Sequence, residues 1–408
     1  MAINMVNSVE ELMKKLKISG YPDRWNLFNE RLKESFVGYG GIYPGREYIL
    51  ELHEKYRLFD NTLDEVLDAA EKLKSFPELM QYILLLDLAM EDRESFKREI
   101  GALEVPSFSP GEDPAPYDFA LLFTLLSKIP RIDSVLKERG VPTDIRFATH
   151  TAYEECLKGY KRKTDRYGFD KRYFNWIQRY IDVTILRVGR LNIEMRSMFK
   201  GPVYVLENQK GERLMMMTGV RLHRDGMVLG IPGYEDDEGS FDASFVQTEE
   251  YFEGHLVGKN GRALKERTKL PVSDWRIVLS PEDPVLSVHI PAGEKLTPEL
   301  CEESYKRSAE VISKCFPEFR FKAFVCFSWL MDPQLADMLP PDSNIVTFQN
   351  KYMRFPTYSS GRGAITFVFF DRYERLEDLP ERTTLERSIK RHYLSGKYIY
   401  EPGGVFFI

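Results

Sequence analysis

Apolar side chains recur at helical spacing over residues 8–159. Val66, Leu67, Ala70, Leu73 and Phe76 run into Leu79, Met80, Ile83 and Leu86, and Phe119, Leu122, Phe123, Leu125 and Leu126 form a second amphipathic stretch. This pattern predicts a helical bundle. Its breaks are clusters of turn formers: Gly38, Gly40, Gly41, Pro44 and Gly45 in one loop, and Pro106, Pro110, Pro114 and Pro116 in another. The pattern changes near residue 181, where β-branched residues and alternating polarity take over. Val203–Glu207 and Arg213–Met217 flank Asn208-Gln-Lys-Gly211 and predict a β-hairpin. Further strands are expected over 227–231, 276–279, 285–290, 321–328, 345–353 and 364–370. The segment 161–172, with six cationic and two anionic side chains, reads as a solvated connector. The expected division is therefore an all-α domain over 1–165 and a mixed α/β domain over 166–408, an α+β chain as a whole.

The most informative stretch is 285–328. An apolar strand leads into the loop Pro291–Leu296, then Thr297 and Pro298 stand at the N-cap and first position of a helix. Leu300, Ser304, Ser308, Val311, Ile312 and Cys315 mark one face of that helix, and Pro317 ends it. At 1.5 Å per residue such a helix spans ~28 Å, enough to return over a strand and begin a parallel neighbour. The unit is a βαβ crossover, and its helix N-terminus, rich in unpaired N–H groups, lies at the C-terminal end of the first strand. The loop is a candidate anion cradle or simply a tight connection.

Composition narrows the class. With 57 Lys+Arg against 63 Asp+Glu the net charge is −6, so the chain lacks the positive field of a nucleic-acid binder. At 43% hydrophobic it can bury sizeable cores. No apolar run approaches the roughly 20 residues that cross a bilayer, and the first twenty residues do not read as a secretory signal, so no membrane partner and a cytoplasmic address are expected. The four cysteines form no C-x-x-C pair and no zinc spacing with histidine, so neither a disulfide framework nor a metal site is predicted.

Several segments carry a resemblance. Arg187-Val-Gly-Arg-Leu191, Val288-His-Ile-Pro-Ala-Gly-Glu-Lys-Leu296, Phe324-Val-Cys-Phe-Ser-Trp-Leu330, Asp332-Pro-Gln-Leu335, Asp342-Ser-Asn-Ile-Val346 with Phe348-Gln349, and Thr384-Leu-Glu-Arg387 resemble bacterial acyltransferase-domain proteins. In that family a helical N-acyltransferase N-terminal domain precedes a GNAT-like C-terminal domain with a central twisted sheet. The resemblance implies an N-acyltransferase that moves an acyl group from acyl-CoA, such as acetyl-CoA, to an amine on a small molecule or peptide. It implies acyl-CoA as co-substrate and no permanently bound cofactor. Strands 285–290 and 321–328 would run parallel and splay, and the donor's pyrophosphate would rest on Ala292, Gly293, Glu294, Lys295, Leu296 and Thr297. GNAT enzymes usually carry more glycine in that loop, whereas this chain has only Gly293, followed by Glu294.

Attack of an amine on a thioester needs a base, donors for the oxyanion and an acid for the thiolate. His289 is the first candidate base, because strand alternation sets it and Ser287 on one face at the strand's C-terminal end. A histidine hydrogen-bonded to a loop carbonyl is the other reading. Ser328, at the end of the second strand, is the candidate donor to the thiolate, and Glu194 a second base or an Arg-paired carboxylate. Cys326 reads as a buried small hydrophobe, Asp332 as an N-cap, Asn344 as a turn stabiliser and His255 as structural. The acidic run 235–238 reads as a solvated loop, and the tail Val405–Ile408 as a docked final strand. Two other classes remain open: a catalytically silent GNAT-like module that binds acyl-CoA, a phosphopantetheine arm or a protein, and a scaffolding protein.

Overall fold

The computed structural model describes residues 7–38, 40 and 43–408, and the contacts divide it into two compact units, Met1–Leu186 and Arg187–Ile408. Gly41, in the first expected loop, lies outside the described residues. Among the described residues the first unit holds eleven α-helices: α1 (Val9–Lys15), α2 (Asn29–Gly38), α3 (Arg46–Tyr56), α4 (Leu63–Leu73), α5 (Pro77–Ala89), α6 (Arg93–Glu99), α7 (Ala115–Leu126), α8 (Ile129–Glu138), α9 (Thr143–His150), α10 (Ala152–Thr164) and α11 (Lys171–Ile181). The central pair is α5 and α7, each buried along nearly its whole length and packed on each other. A helix apolar all round must lie inside a bundle rather than on its surface. Pro77 starts α5 at the position where a missing N–H costs nothing, and so separates it from α4 within the apolar run 66–86.

The change expected at 165/166 falls inside this unit. The basic segment does not open into a connector, because α11 continues the helical layer. Asp118 of α7 also ties the turn down: its carboxylate accepts from Tyr160 Oη (2.7 Å) and Arg166 Nε (2.7 Å), and its carbonyl accepts the N–H of Phe169, which is buried.

The second unit is built on a sheet of order β1-β2-β11-β12-β14-β13. Its strands are β1 (Ile185–Val188), β2 (Leu191–Arg196), β11 (Val285–His289), β12 (Phe324–Phe327), β13 (Met353–Phe355) and β14 (Gly403–Phe406). Strands β11 and β12 are parallel, and helix α12 (Pro298–Cys315) makes the crossover between them. The pairs β2–β11, β12–β14 and β13–β14 are antiparallel. The C-terminal tail thus closes the sheet as β14, between β12 and β13, as a docked strand should.

Between β2 and β11 the chain builds a second sheet, of order β10-β3-β4-β8-β7 with β9 beside β8, from β3 (Val203–Asn208), β4 (Arg213–Met217), β7 (Val246–Gln247), β8 (Tyr251–Val257), β9 (Ala263–Pro271) and β10 (Trp275–Leu279). The expected hairpin is β3–β4, with Gly211 at φ +78° in its turn. A small pair, β5 (Val220–Leu222) and β6 (Phe241–Ala243), accompanies it. Val203, Val205, Met215 and Met217 from the second sheet share one core with Val285, Val325, Phe355 and Val405 from the first.

Three expected strands are not strands. Residues 227–231 form a bend with a single bridge from Val228 to Leu222, punctuated by Gly226, Gly230 and Gly233 at positive φ. The stretch 345–353 is mostly helix α14 (Asn344–Asn350), and 364–370 is mostly α15 (Gly363–Phe369). In α14 Ser343 caps the first turn by accepting from Val346 N–H, so Asn344 is the first helical residue rather than a turn stabiliser. The remaining helices are α13 (Leu335–Met338) and α16 (Thr384–Leu394). No helix among the described residues is long and apolar enough to cross a membrane.

Candidate functional site

Strands β11 and β12 pair at only two positions, Leu286 with Phe324 and Ser287 with Val325. Beyond these they part: Val288 and His289 stay on β2, while Cys326 and Phe327 stay on β14. A parallel pair that opens toward its C-terminal end leaves a cleft flanked by backbone amides, and His289 is the last residue of β11 at its mouth.

The register explains what gathers beside it. Ser287 lies opposite Glu194, His289 opposite Asn192, and Val285 opposite Arg196, so the strict alternation of β2 puts Asn192, Glu194 and Arg196 on the face that carries Ser287 and His289. On that face His289 Nε2 lies 2.8 Å from Glu194 Oε2, and Arg196 Nε donates to the same oxygen at 2.9 Å. The Glu194 side chain is 11% exposed and that of His289 25%. The structure therefore joins two of the three catalytic candidates, diagonal neighbours across one ladder. Arg196 was not singled out in the sequence, although the alternation Leu191-Asn-Ile-Glu-Met-Arg196 already places three polar side chains on one face of a strand.

The third candidate, Ser328, follows β12 across the cleft. Its hydroxyl oxygen accepts the Leu330 N–H at 3.1 Å and so caps the 3₁₀ turn Trp329–Met331, leaving the hydroxyl hydrogen to be donated elsewhere. Cys326, facing α12, is fully buried, and burial pushes its thiol up to about 12. Asp332 is not a helix N-cap: its buried carboxylate accepts from Gln334 N, Gln334 Nε2 and Tyr400 N, tying the turn after β12 to the approach of β14. His255 sits on β8 in the second sheet with Nδ1 3.2 Å from the Leu264 carbonyl oxygen, a structural contact. In the acidic run, Asp236 pairs with Arg224 at 3.1 Å and accepts the Glu238 N–H, in an exposed loop.

Loop 291–296 and the start of α12 take the arrangement the capping residues dictate. Thr297 accepts from Leu300 N–H, and Pro298 opens the helix. Ala292, Gly293, Glu294 and Lys295 are exposed, whereas Leu296 is buried. Gly293 has φ +116°, a conformation only glycine adopts without strain, and a β-carbon there would meet nothing within 4 Å. Arg190, in the β1–β2 turn, holds the loop: its Nε donates to the Lys295 carbonyl at 3.3 Å and its backbone N–H donates to Ser304 Oγ of α12 at 2.9 Å. Beside the loop a cavity of about 290 Å³ opens between α12 and α14, lined by Leu296, Pro298, Cys301, Tyr305, Phe348 and Lys351 among others. Tyr305 reaches Tyr352 hydroxyl to hydroxyl at 2.8 Å, and burial raises the Cys301 thiol to about 11. The strand expected over 345–353 concealed this cavity in the sequence, because a strand there supplies no helix face for its second wall.

The GNAT-like C-terminal domain family matches residues 185–406, and the N-acyltransferase N-terminal domain family matches 47–183. The chain belongs to the family of proteins with a GNAT-like C-terminal domain. Solved structures share its fold. One is a mutant acyltransferase in complex with octanoyl-CoA, with a TM-score of 0.63 at 17% identity, covering 98% of this chain and 100% of that one. Another is an acyltransferase in complex with decanoyl-CoA and teicoplanin, with a TM-score of 0.62 at 18% identity, covering 98% of each chain. No curated protein matches the sequence. The GNAT-like domain thus begins at β1 and ends in β14, and includes the inserted second sheet.

Proposed function

We propose that the protein is an acyl-CoA-dependent N-acyltransferase acting on an amine of a small molecule or peptide. The observation that carries this reading is the parted β11–β12 pair with His289 at its mouth and the capped N-terminus of α12 beside it. The pantetheine amides would pair with strand groups exposed by the parting. The pyrophosphate would meet the N–H groups of 292–297 and the positive end of the helix dipole. The neighbouring structures, acyltransferases holding octanoyl-CoA or decanoyl-CoA and, in one case, teicoplanin, support an acyl-CoA donor and a small-molecule acceptor.

In this mechanism the acceptor amine attacks the thioester carbonyl carbon, the C–N bond forms and the carbonyl electron pair moves to oxygen. His289 takes a proton from the nitrogen, directly or through one water. The oxyanion then collapses, the C–S bond breaks with its electron pair leaving on sulfur, and the Ser328 hydroxyl donates a hydrogen bond to that thiolate. Thermal unfolding with CoA, acetyl-CoA, octanoyl-CoA and decanoyl-CoA tests the donor. A ligand at a hundred times its dissociation constant stabilises the native state by ~2.7 kcal/mol. Saturable stabilisation with CoA-thiol release on adding amines, teicoplanin among them, supports the enzyme. Stabilisation without turnover with any amine leaves a silent binding module, and no stabilisation contradicts both.

A further inference from the structure

We propose that Phe327 is the specificity residue for the acyl group, selecting an apolar chain of several carbons over acetyl and over charged acyl groups. This rests on the reading above, in which the thioester lies in the β11–β12 cleft within reach of His289.

Val285 and Val325 both belong to the core that the two sheets share. Strand alternation then sets Ser287 and His289 on that same face of β11, and Phe327 on that same face of β12. The last paired residues are Ser287 and Val325, so His289 and Phe327 each stand two positions beyond the final rung. They form one row across the sheet, on either side of the parting. The row continues with Asn192 beside His289, and with Gly403 and then Phe355 beside Phe327.

In that row the ring of Phe327 is supported yet uncovered. Phe355 meets it nearly at right angles, 83° with 6.0 Å between centroids, and the Phe199 ring lies 6.2 Å away. A β-carbon at Gly403 would overlap the Phe355 ring and come within 3.0 Å of the Phe327 ring, so both rings lie over the glycine. Phe199 and Phe355 are fully buried, whereas Phe327 is 36% exposed. Among the described residues it is the only exposed one on the six strands of this sheet. A single exposed apolar side chain is ordinary on a protein surface. What distinguishes this one is its row, opposite the base across the cleft.

A thioester placed for attack beside His289 carries its acyl group on the same carbonyl carbon, so the acyl chain starts in this row. Of the other members Asn192 is polar, Gly403 has no side chain and Phe355 is buried. Phe327 is therefore the apolar surface that the chain meets. An alkyl chain laid on the ring leaves water and gains with each methylene it covers. An acetyl methyl is too short to cover the ring, and a terminal carboxylate is repelled by the negative face of its π-system.

The test is kcat/KM for acetyl-, octanoyl- and succinyl-CoA with one amine at a fixed concentration, in wild type, Phe327→Gln and Phe327→Leu. Wild type should favour octanoyl-CoA over the other two. Phe327→Gln puts a polar amide in place of the ring, and the octanoyl-to-acetyl ratio should fall by roughly 10- to 100-fold with the acetyl-CoA value within about threefold of wild type. Phe327→Leu keeps the wall apolar and should keep the ratio within about threefold. A ratio taken within one variant cancels any loss of folded enzyme, and thermal unfolding checks that loss separately. An unchanged ratio in Phe327→Gln, or a wild type that favours acetyl- or succinyl-CoA, overturns this proposal alone. An equal fall with all three donors overturns it as well, and makes the ring a support of the fold or a contact for the amine. A wild type that releases CoA thiol from none of the three donors instead overturns the reading on which the proposal rests, and the proposal with it.

Discussion

At Gly293 a single backbone torsion links the loop's geometry to its proposed use. Its φ of +116° lies where L-residues are strained, and no neighbour limits a side chain there, so substitution acts through the backbone rather than by collision. Gly293→Val should cost about 1–3 kcal/mol of stability and abolish CoA-induced stabilisation while leaving the apo protein folded. Unchanged CoA affinity in that variant would place the phosphates elsewhere. Asp332 makes a different kind of test. Burial raises its pKa above the usual carboxylate value in spite of three donors. The native state then binds more protons than the unfolded chain just above the unfolded pKa, so stability falls as pH rises from about 4 through the raised value. Asp332→Asn removes that slope, and turning an acceptor into a donor among three N–H groups should cost about 1–3 kcal/mol at pH 7. Urea unfolding from pH 4 to 8 checks both, and a variant with the wild-type slope would assign the pH dependence to other groups.

At the scale of elements, β11–α12–β12 was legible because its signals are local and mutually consistent: an apolar strand, Thr297 and Pro298 at a helix start, a buried stripe, and Pro317 after the end. Only the details moved, with Cys301 and Tyr305 buried on α12 while Leu300 is half-buried. Residues 345–353 misled because Ile345, Val346 and Phe348 favour strands by composition. The Ser343 cap and the burial of Val346, Phe348 and Gln349 against neighbouring elements override that preference. Strand β9 was hidden for the opposite reason: it lies beside β8 alone, and its exposed charges Lys265, Glu266, Arg267 and Lys269 erase the apolar signal. The pairing of His289 with Glu194 required register, which a sequence separation of 95 does not reveal. Removing the α12 cap with Thr297→Ala should lower stability by ~0.5–2 kcal/mol and weaken octanoyl-CoA binding, because the cap fixes the start of the helix that follows the proposed donor loop. Isothermal titration checks the second effect, and intact binding with lowered stability would separate the cap from the donor site.

At the scale of the molecule, the second sheet is part of the GNAT-like unit rather than an appendage, since both sheets share one core. Phe355 is fully buried in it and meets Phe199 and Phe327 edge to face. Phe355→Ala should therefore destabilise the unit by about 3–5 kcal/mol, read by urea unfolding. A loss below about 1 kcal/mol would show that the two sheets do not depend on their common core. The resemblance identified from scattered strings reached the right family because those strings lie on β1–β2, on β11 and the loop after it, on β12, and on the turns and helices that follow β12. The 88 residues of inserted sheet between Arg196 and Val285 carried none of them.

The most direct test of the proposed chemistry is the rate of CoA-thiol release from octanoyl-CoA with a panel of amines, for wild type and His289→Gln, from pH 6 to 9. Removing the base should lower turnover by roughly 10² to 10⁴ and erase the acidic limb of the profile, with donor affinity little changed. Wild-type rates in His289→Gln across that range would contradict the assignment of His289 as base.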